Sequence, residues 1–463
     1  MSTLPDPLAG PRTRPVSFAA HLRATMVLGL PLMGSQLAQM SLHVTDTIML
    51  GWYGVAELAA VVLGAAMLFA LFVLGSGFGV AVLGRVAAAL GREDDTQVRR
   101  DVRMGLWLSA IYGLLTMPVM WFSGPILVAW GQEPRIAELA QDYLRIAGWG
   151  MVPALFIMVL KSYLSANERT QMVMWVTLGG VVVNIALNWA LIFGHWGAPE
   201  LGLRGAAISS VVVQATGALA LALYAAWLPA LRRFALFSRF WRPDREGMAM
   251  LFRLGVPIGI TGLAEGFMFQ AAALMMGWIG TIELAAHGIA LEITAMGFML
   301  HMGLSAAATV RVGRADGRGD ARGVIDASLA AIVLSLALCV VLIGMLLLVP
   351  GFLVGLFLDL SAPESPAIVA FGVKLLVVAA AFQVFDAMQV VGLGLLRGVQ
   401  DTNRPMWLAT FSYWLVGIPA SYLLAFPLGL GGVGLWVGLV LGLAAASVLL
   451  MWRFWRPRLT VPA

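Results

Sequence analysis

Four carboxylates, Asp46, Glu265, Glu292 and Asp386, each fall inside a long apolar stretch of the chain. Holding an acidic side chain at membrane depth costs about 3 kcal/mol or more, so such groups are normally paired or functional. None has an Arg or Lys within one helical turn on its own segment, which argues against local ion pairing. An acid so placed can take up a proton or hold a metal cation such as Na⁺, and either makes it a coupling site. Asn184 and Asn188 are four apart, share one helical face, and offer either neutral oxygens beside a carboxylate or hydrogen bonds between helices. Gln383 and Gln389 flank Asp386 by three residues on each side and extend a polar stripe with a network role rather than direct ligation.

Phe267, Met268, Phe269, Phe382 and Phe385 crowd the sequence around Glu265 and Asp386. Most are expected in packing or lipid contact. Any that face a cleft would form an adaptable apolar wall beside a carboxylate, which suits bulky organic cations. Pro31 and Pro257 stand inside apolar segments, where each removes a backbone hydrogen bond and acts as a hinge or a static kink. His43, His287 and His301 lack metal-ligand spacing and read as packing or hydrogen-bonding residues. The single cysteine, Cys339, excludes an internal disulfide and a cysteine-based metal cluster.

These residues need helices across a membrane to position them. Sixty per cent of the 463 residues are hydrophobic and 11% charged, against about half and a quarter in soluble domains. Apolar runs predict spans near 25–52, 56–84, 102–122, 138–163, 170–194 and 203–229, then 248–278, 283–310, 324–348, 366–396, 404–426 and 431–453. The backbone must satisfy its own hydrogen bonds in lipid, and the runs do not alternate as barrel strands would. The expectation is an all-α polytopic membrane protein: twelve transmembrane helices in two pseudo-symmetric six-helix lobes around a central cleft. Its N-lobe is 25–229, its C-lobe 248–453, a cytoplasmic amphipathic linker 230–247, and its cytoplasmic tails 1–24 and 454–463. The first apolar segment is too long for a signal peptide and should be retained. With both termini inside, all but Arg135, Arg145, Arg204 and Lys374 of the 29 basic residues fall on one face, as cytoplasmic loops require. The net charge of +5 is therefore topological; no separate basic domain points to nucleic acid.

The two halves repeat. Shifted by 226 positions, GWYGVAELAA at 51–60 meets GWIGTIELAA at 277–286, identical at seven of ten places. Leu28, Gly29 and Pro31 meet Leu254, Gly255 and Pro257, while Arg85, Gly91, Arg92 and Asp94 meet Arg311, Gly317, Arg318 and Asp320. An even number of spans per repeat predicts halves related by an axis along the membrane normal.

The span-one stretch VTDTIMLGWYG at 44–54, the Glu265 helix, RVGRADGRGD at 311–320 and FDAMQVVGLGLLRGVQDT at 385–402 together resemble the multidrug and toxic compound extrusion (MATE) family, in its NorM-like bacterial branch. The resemblance covers nearly the whole chain. It implies a twelve-helix antiporter of the bacterial inner membrane, monomeric and without cofactor, that exports organic cations against Na⁺ or H⁺. By position, Asp46 with Asn184 and Asn188 looks like the N-lobe cation-sensitive site, Glu265 with Asp386 like the C-lobe site, and Pro31 like the family's bending proline. The sequence departs at Phe382, where relatives can carry Tyr, and at Glu292, where a neutral polar residue is expected. A lipid-linked precursor flippase of the same superfold would call for a more basic cleft, and no nucleophile–base cluster, metal motif or nucleotide loop indicates an enzyme. Saturable, gradient-reversing flux would separate a carrier from an ion channel.

Overall fold

The computed structural model describes residues 17–238 and 240–458. Most of the two tails, 1–16 and 459–463, and Arg239 of the linker lie outside the described residues. Among the described residues every regular element is helical. In the first half the long helices are α1 (Phe18–Tyr53), α2 (Val55–Gly91), α3 (Asp95–Trp121), α4 (Pro134–Ala166, with a tighter turn at Gly148–Gly150), α5 (Thr170–Phe193) and α6 (Leu203–Trp227). The second half has α7 (Arg245–Ile279), α8 (Thr281–Gly317), α9 (Ala321–Leu348), α10 (Ser365–Gly398), α11 (Asn403–Ala425) and α12 (Gly431–Trp455).

Eleven of these stretches, α2 to α12, are long and apolar enough to cross a membrane among the described residues. Helix α1 falls short on composition, not length. Its 36 residues span about 50 Å at ~1.5 Å each, more than the ~30 Å hydrocarbon layer. A polar stripe through Ser35, Gln36, Gln39, His43 and Asp46 dilutes its apolar content, as expected of a helix that turns one side to other protein groups. The helices also outrun the apolar segments that announce them, because hydropathy marks the lipid-crossing part and capping marks the helix end.

The repeat is written into the helix boundaries. Tyr53 and Ile279 end α1 and α7, Val55 and Thr281 begin α2 and α8, and Gly91 and Gly317 close them; each pair is 226 apart in the sequence. Asp94 caps α3 by accepting from the Gln97 amide at 2.9 Å, and Asp320 caps α9 by accepting from the Gly323 amide at 2.8 Å. An aspartate at this position satisfies one of the orphan amides of a helix start, so the loop chemistry was duplicated with the spans.

Packing divides the molecule unevenly. One apolar core lies wholly in the second half, around Met268, Phe382, Trp436 and Leu443. Another fills the first half toward the Gly54 end, around Leu50, Tyr143 and Leu155. The third, at the Arg92 end of the first half, also takes in Leu251, Ile258, Ala307 and Val310 from the second. The halves thus join at one end, with α1 against α8 and α2 against both α7 and α8. The approach there is backbone to backbone. A Cβ on Gly77 of α2 would sit 2.2 Å from the Gly255 carbonyl oxygen and 2.7 Å from the Gly259 nitrogen of α7, and one on Gly317 of α8 would sit 2.1 Å from the Ala88 carbonyl oxygen of α2. Polar contacts tie the same end: Arg314 donates to the Glu168 carboxylate at 2.5 Å and to the Ala166 carbonyl at 2.6 Å, and Arg311 lies 2.8 Å from His21.

The linker runs along α3. Arg103 donates to the Ser238 carbonyl at 2.6 Å, Trp107 donates to the Phe240 carbonyl at 2.9 Å and stacks on the Phe240 ring, and Arg100 pairs with Asp244 and, at 2.8 Å, with Glu246.

Candidate functional site

In the first half, α1, α5 and α6 bring four polar side chains together. Asp46 Oδ1 accepts from Asn188 at 2.6 Å and from Asn184 at 3.0 Å, while Oδ2 accepts from Ser210 at 3.0 Å. The four-residue spacing puts both amides on one face of α5, and Asn188 donates to Asn184 Oδ1 as well, at 3.3 Å. Both asparagines are buried. Asn188 Oδ1 has no hydrogen-bond partner among the described residues, so one neutral oxygen ligand lies beside the carboxylate. His43, three residues before Asp46, is exposed.

In the second half, Glu265 of α7 meets Asp386 and Gln389 of α10 and Tyr413 of α11. The Gln389 amide nitrogen donates to Glu265 and, at 3.3 Å, to Asp386 Oδ1, and its oxygen accepts from the Tyr413 hydroxyl. One glutamine therefore bridges two acids. All four side chains are buried, yet Asp386 Oδ2 has no hydrogen-bond partner among the described residues. Neither Glu265, Asp386 nor Asp46 forms an ion pair among them. Carboxylate, amide and hydroxyl oxygens of this kind are hard donors fit for Na⁺, and the same acids accept a proton. No group of three or more His, Cys, Asp or Glu gathers to hold a metal among the described residues.

Tyr413 and Ser210 escape a sequence reading. Position 382 carries Phe, but a hydroxyl reaches the cluster from a different helix, through the π-helical stretch Ser412–Gly417. The extra residue per turn rotates the face of α11 that follows. Pro419, just beyond it, is the one sequence signal of an irregular turn there. Ser210 carries no signal, being one of many hydroxyls in apolar spans. Lys161 of α4 is a third such residue: half-buried, it donates to Gln36 of α1 at 2.5 Å.

The remaining candidates divide. Phe382 is buried in the second-half core between Phe269, at 6.0 Å, and Trp436, at 5.6 Å. Phe385 is half-buried against the same core, Met268 lies within it, and Phe267 points outward at 50% exposure. Gln383 is buried against Gly297 of α8 and makes no hydrogen bond to either acid. Glu292 is half-buried on α8 and has no hydrogen bond or ion pair among the described residues, so it joins neither cluster. His287 accepts from Trp436 at 3.0 Å, and His301 lies 2.9 Å from Ser335 and 3.7 Å from Cys339, the hydrogen-bonding roles expected of them. Pro31 and Pro257 are buried where the halves touch: a Cβ on Gly303 would meet Leu32 and Met33, and Gly255 and Gly259 beside Pro257 abut Phe78 and Leu74.

The family model described as MatE matches residues 31–190 and 257–423, two segments whose starting prolines are one repeat apart. A probable multidrug resistance protein NorM from Rhizobium meliloti (strain 1021) is 47% identical over 440 residues, covering 95% of this chain and 94% of the relative. A multidrug resistance protein NorM from Burkholderia vietnamiensis is 37% identical, covering 95% of each. Among solved structures, MATE in the straight conformation aligns with a TM-score of 0.85 at 21% identity over 94% of this chain and 96% of that one. A MOP superfamily transporter from Pyrococcus furiosus Vc1, described by a binding pocket of reverse polarity, aligns at 0.84 and 20% identity over 96% and 99%. One fold thus carries pockets of opposite polarity, and side chains rather than fold must indicate the cargo.

Proposed function

The chain belongs to the MatE family and is a multi-pass membrane protein, and from that premise we propose that it is a secondary active multidrug efflux transporter. It exchanges cationic organic drugs or toxins for Na⁺ or H⁺ by alternating access between two six-helix lobes, α1 being the twelfth span. The basic Arg92 end faces the cytoplasm of the bacterial inner membrane, in keeping with the distribution of Arg and Lys. Since the lobes meet at that end and keep separate cores at the Gly54 end, the conformation corresponds to a cleft closed inward and open outward.

Asp386 carries this reading. It is 1% exposed, has one donor at 3.3 Å, and leaves Oδ2 bonded to nothing among the described residues. A buried acid in that state is costly, and a proton or cation arriving from outside removes the cost. An organic cation would use the same charge from the inside, so the two compete for Glu265 and Asp386, and exchange follows from that competition. Asp46 responds differently. Its three donors come from α5 and α6, and neutralising it weakens all three at once, which frees α1 to bend at Pro31. The acidic, lysine-poor clusters disfavour the anionic cargo of a lipid-linked precursor flippase.

The test is purified protein in liposomes loaded with a fluorescent organic cation, given a Na⁺ gradient or a pH gradient separately. Asp386→Asn is expected to abolish gradient-driven flux with the melting temperature unchanged. Normal flux by that variant would remove Asp386 from the mechanism.

A further inference from the structure

We infer that the chain carries a binding site for the headgroup of an anionic phospholipid, in a cavity of about 550 Å³ between the start of α3 and the linker. The inference takes only its leaflet, the cytoplasmic one, from the reading above; it does not depend on the transport mechanism. Arg99, Arg100, Arg103 and Arg242 line the cavity against a single carboxylate, Asp244. The volume falls within the range of small-molecule sites, ~300–1,000 Å³.

Topology alone does not account for this cluster. Positive-inside sorting acts on both halves alike, yet one repeat further on, at the matching turns of α9, the counterparts of Arg99, Arg100 and Arg103 are Ile325, Asp326 and Leu329. Arg99 and Arg103 also sit four apart on α3, a like-charge spacing that opposes helix stability unless an anion lies between them. The cavity is preformed, because Arg103, Trp107 and Arg100 fasten the linker backbone and Asp244 to α3. Arg100 is engaged by Asp244 and Glu246, whereas Arg99 and Arg242 have no carboxylate within pairing distance among the described residues. Two guanidiniums are thus left to grip a phosphate through paired N–H donors. Trp241 is 71% exposed and Phe237 40% exposed on the same linker, aromatic groups suited to headgroup depth. A phosphate grip beside exposed aromatics favours a lipid over a soluble anion.

The full chain, delipidated in detergent with phosphatidylcholine, would be titrated with phosphatidylglycerol and bound lipid counted by native mass spectrometry. The double variant Arg99→Gln/Arg242→Gln is expected to weaken phosphatidylglycerol retention about tenfold or more, with phosphatidylcholine retention unchanged, and inorganic phosphate is expected not to displace the lipid from the parent. Arg242→Gln alone, in an exposed loop, should give a loss of about threefold at an unchanged melting temperature, and it decides the matter if the double variant is unstable. Equal phosphatidylglycerol retention by parent and variants overturns the site. Full displacement by inorganic phosphate overturns its assignment to lipid.

Discussion

Gly77→Ala tests whether the glycine contact between α2 and α7 is the closed inner gate. The added Cβ would lie 2.2 Å from the Gly255 carbonyl oxygen, where ordinary contact begins at 3.4 Å, and the atoms in the way are backbone. Neither helix can yield by rotating a side chain, so they must part by about 1 Å. Overpacking of this kind costs ~1–3 kcal/mol, charged only to the state in which the helices touch. The ratio of inward-closed to inward-open molecules should therefore fall by about 5- to 150-fold. Spin labels at Arg169→Cys and Arg318→Cys, exposed in the two halves at the Arg92 end, would report the gap by pulsed electron paramagnetic resonance. The native Cys339 is buried and stays unlabelled. The expected result is a longer-distance population that grows in Gly77→Ala but not in Gly179→Ala, whose Cβ would meet nothing within 4 Å. Identical distance distributions for Gly77→Ala and its parent, at equal melting temperature, would refute the gate.

Tyr413→Phe removes the hydroxyl that donates to Gln389; a hydrogen bond is worth ~0.5–1.5 kcal/mol, so gradient-driven efflux should weaken by about two- to tenfold with the fold intact, and unchanged efflux would exclude the hydroxyl from the site. Asp244→Asn should loosen the linker, because the Arg100 guanidinium holds the Asp244 carboxyl below its ordinary value of 3.8. A depressed folded value means that the contribution is complete above pH 3.8 and fades as pH falls through the folded value. The melting-temperature gap between parent and Asp244→Asn is accordingly expected to be level at neutral pH and to narrow only in strong acid; a gap that widens on acidification would reverse the sign and defeat the argument.

The acids were legible because the membrane makes them expensive: Asp46, Glu265 and Asp386 stand out on cost alone, and the spacing of Asn184 and Asn188 fixes a shared face. Glu292 stands out equally, yet it meets neither cluster, since cost marks a residue as unusual without saying which neighbour it faces. Gln383 and Gln389 were indistinguishable in sequence, each three residues from Asp386, and only the packing of α10 against α8, with its Gln389 face turned toward Glu265 of α7, sends one to the acids and the other to Gly297. Tyr413 was hidden for a different reason. Its face depends on a π-helical turn, and a 3.6-residue period cannot anticipate that rotation. The helix boundaries followed the repeat closely because caps and glycines are local chemistry, whereas the joining of the halves at one end rests on close backbone approach that no single residue announces.

The two halves repeat, but their acids do not: at the 226-residue shift Asp46 meets Ala272 and Asp386 meets Leu160. Asp46 has three donors on its two oxygens, whereas Asp386 keeps an oxygen idle behind a shared glutamine. Three neutral donors lower the cost of a charged Asp46 without removing it, and all three weaken together when it is neutralised. Asp386, with a single donor, has more to gain from a proton or a cation. The two clusters thus arose separately within a repeated frame, and the exchange proposed for this chain would draw on them unequally.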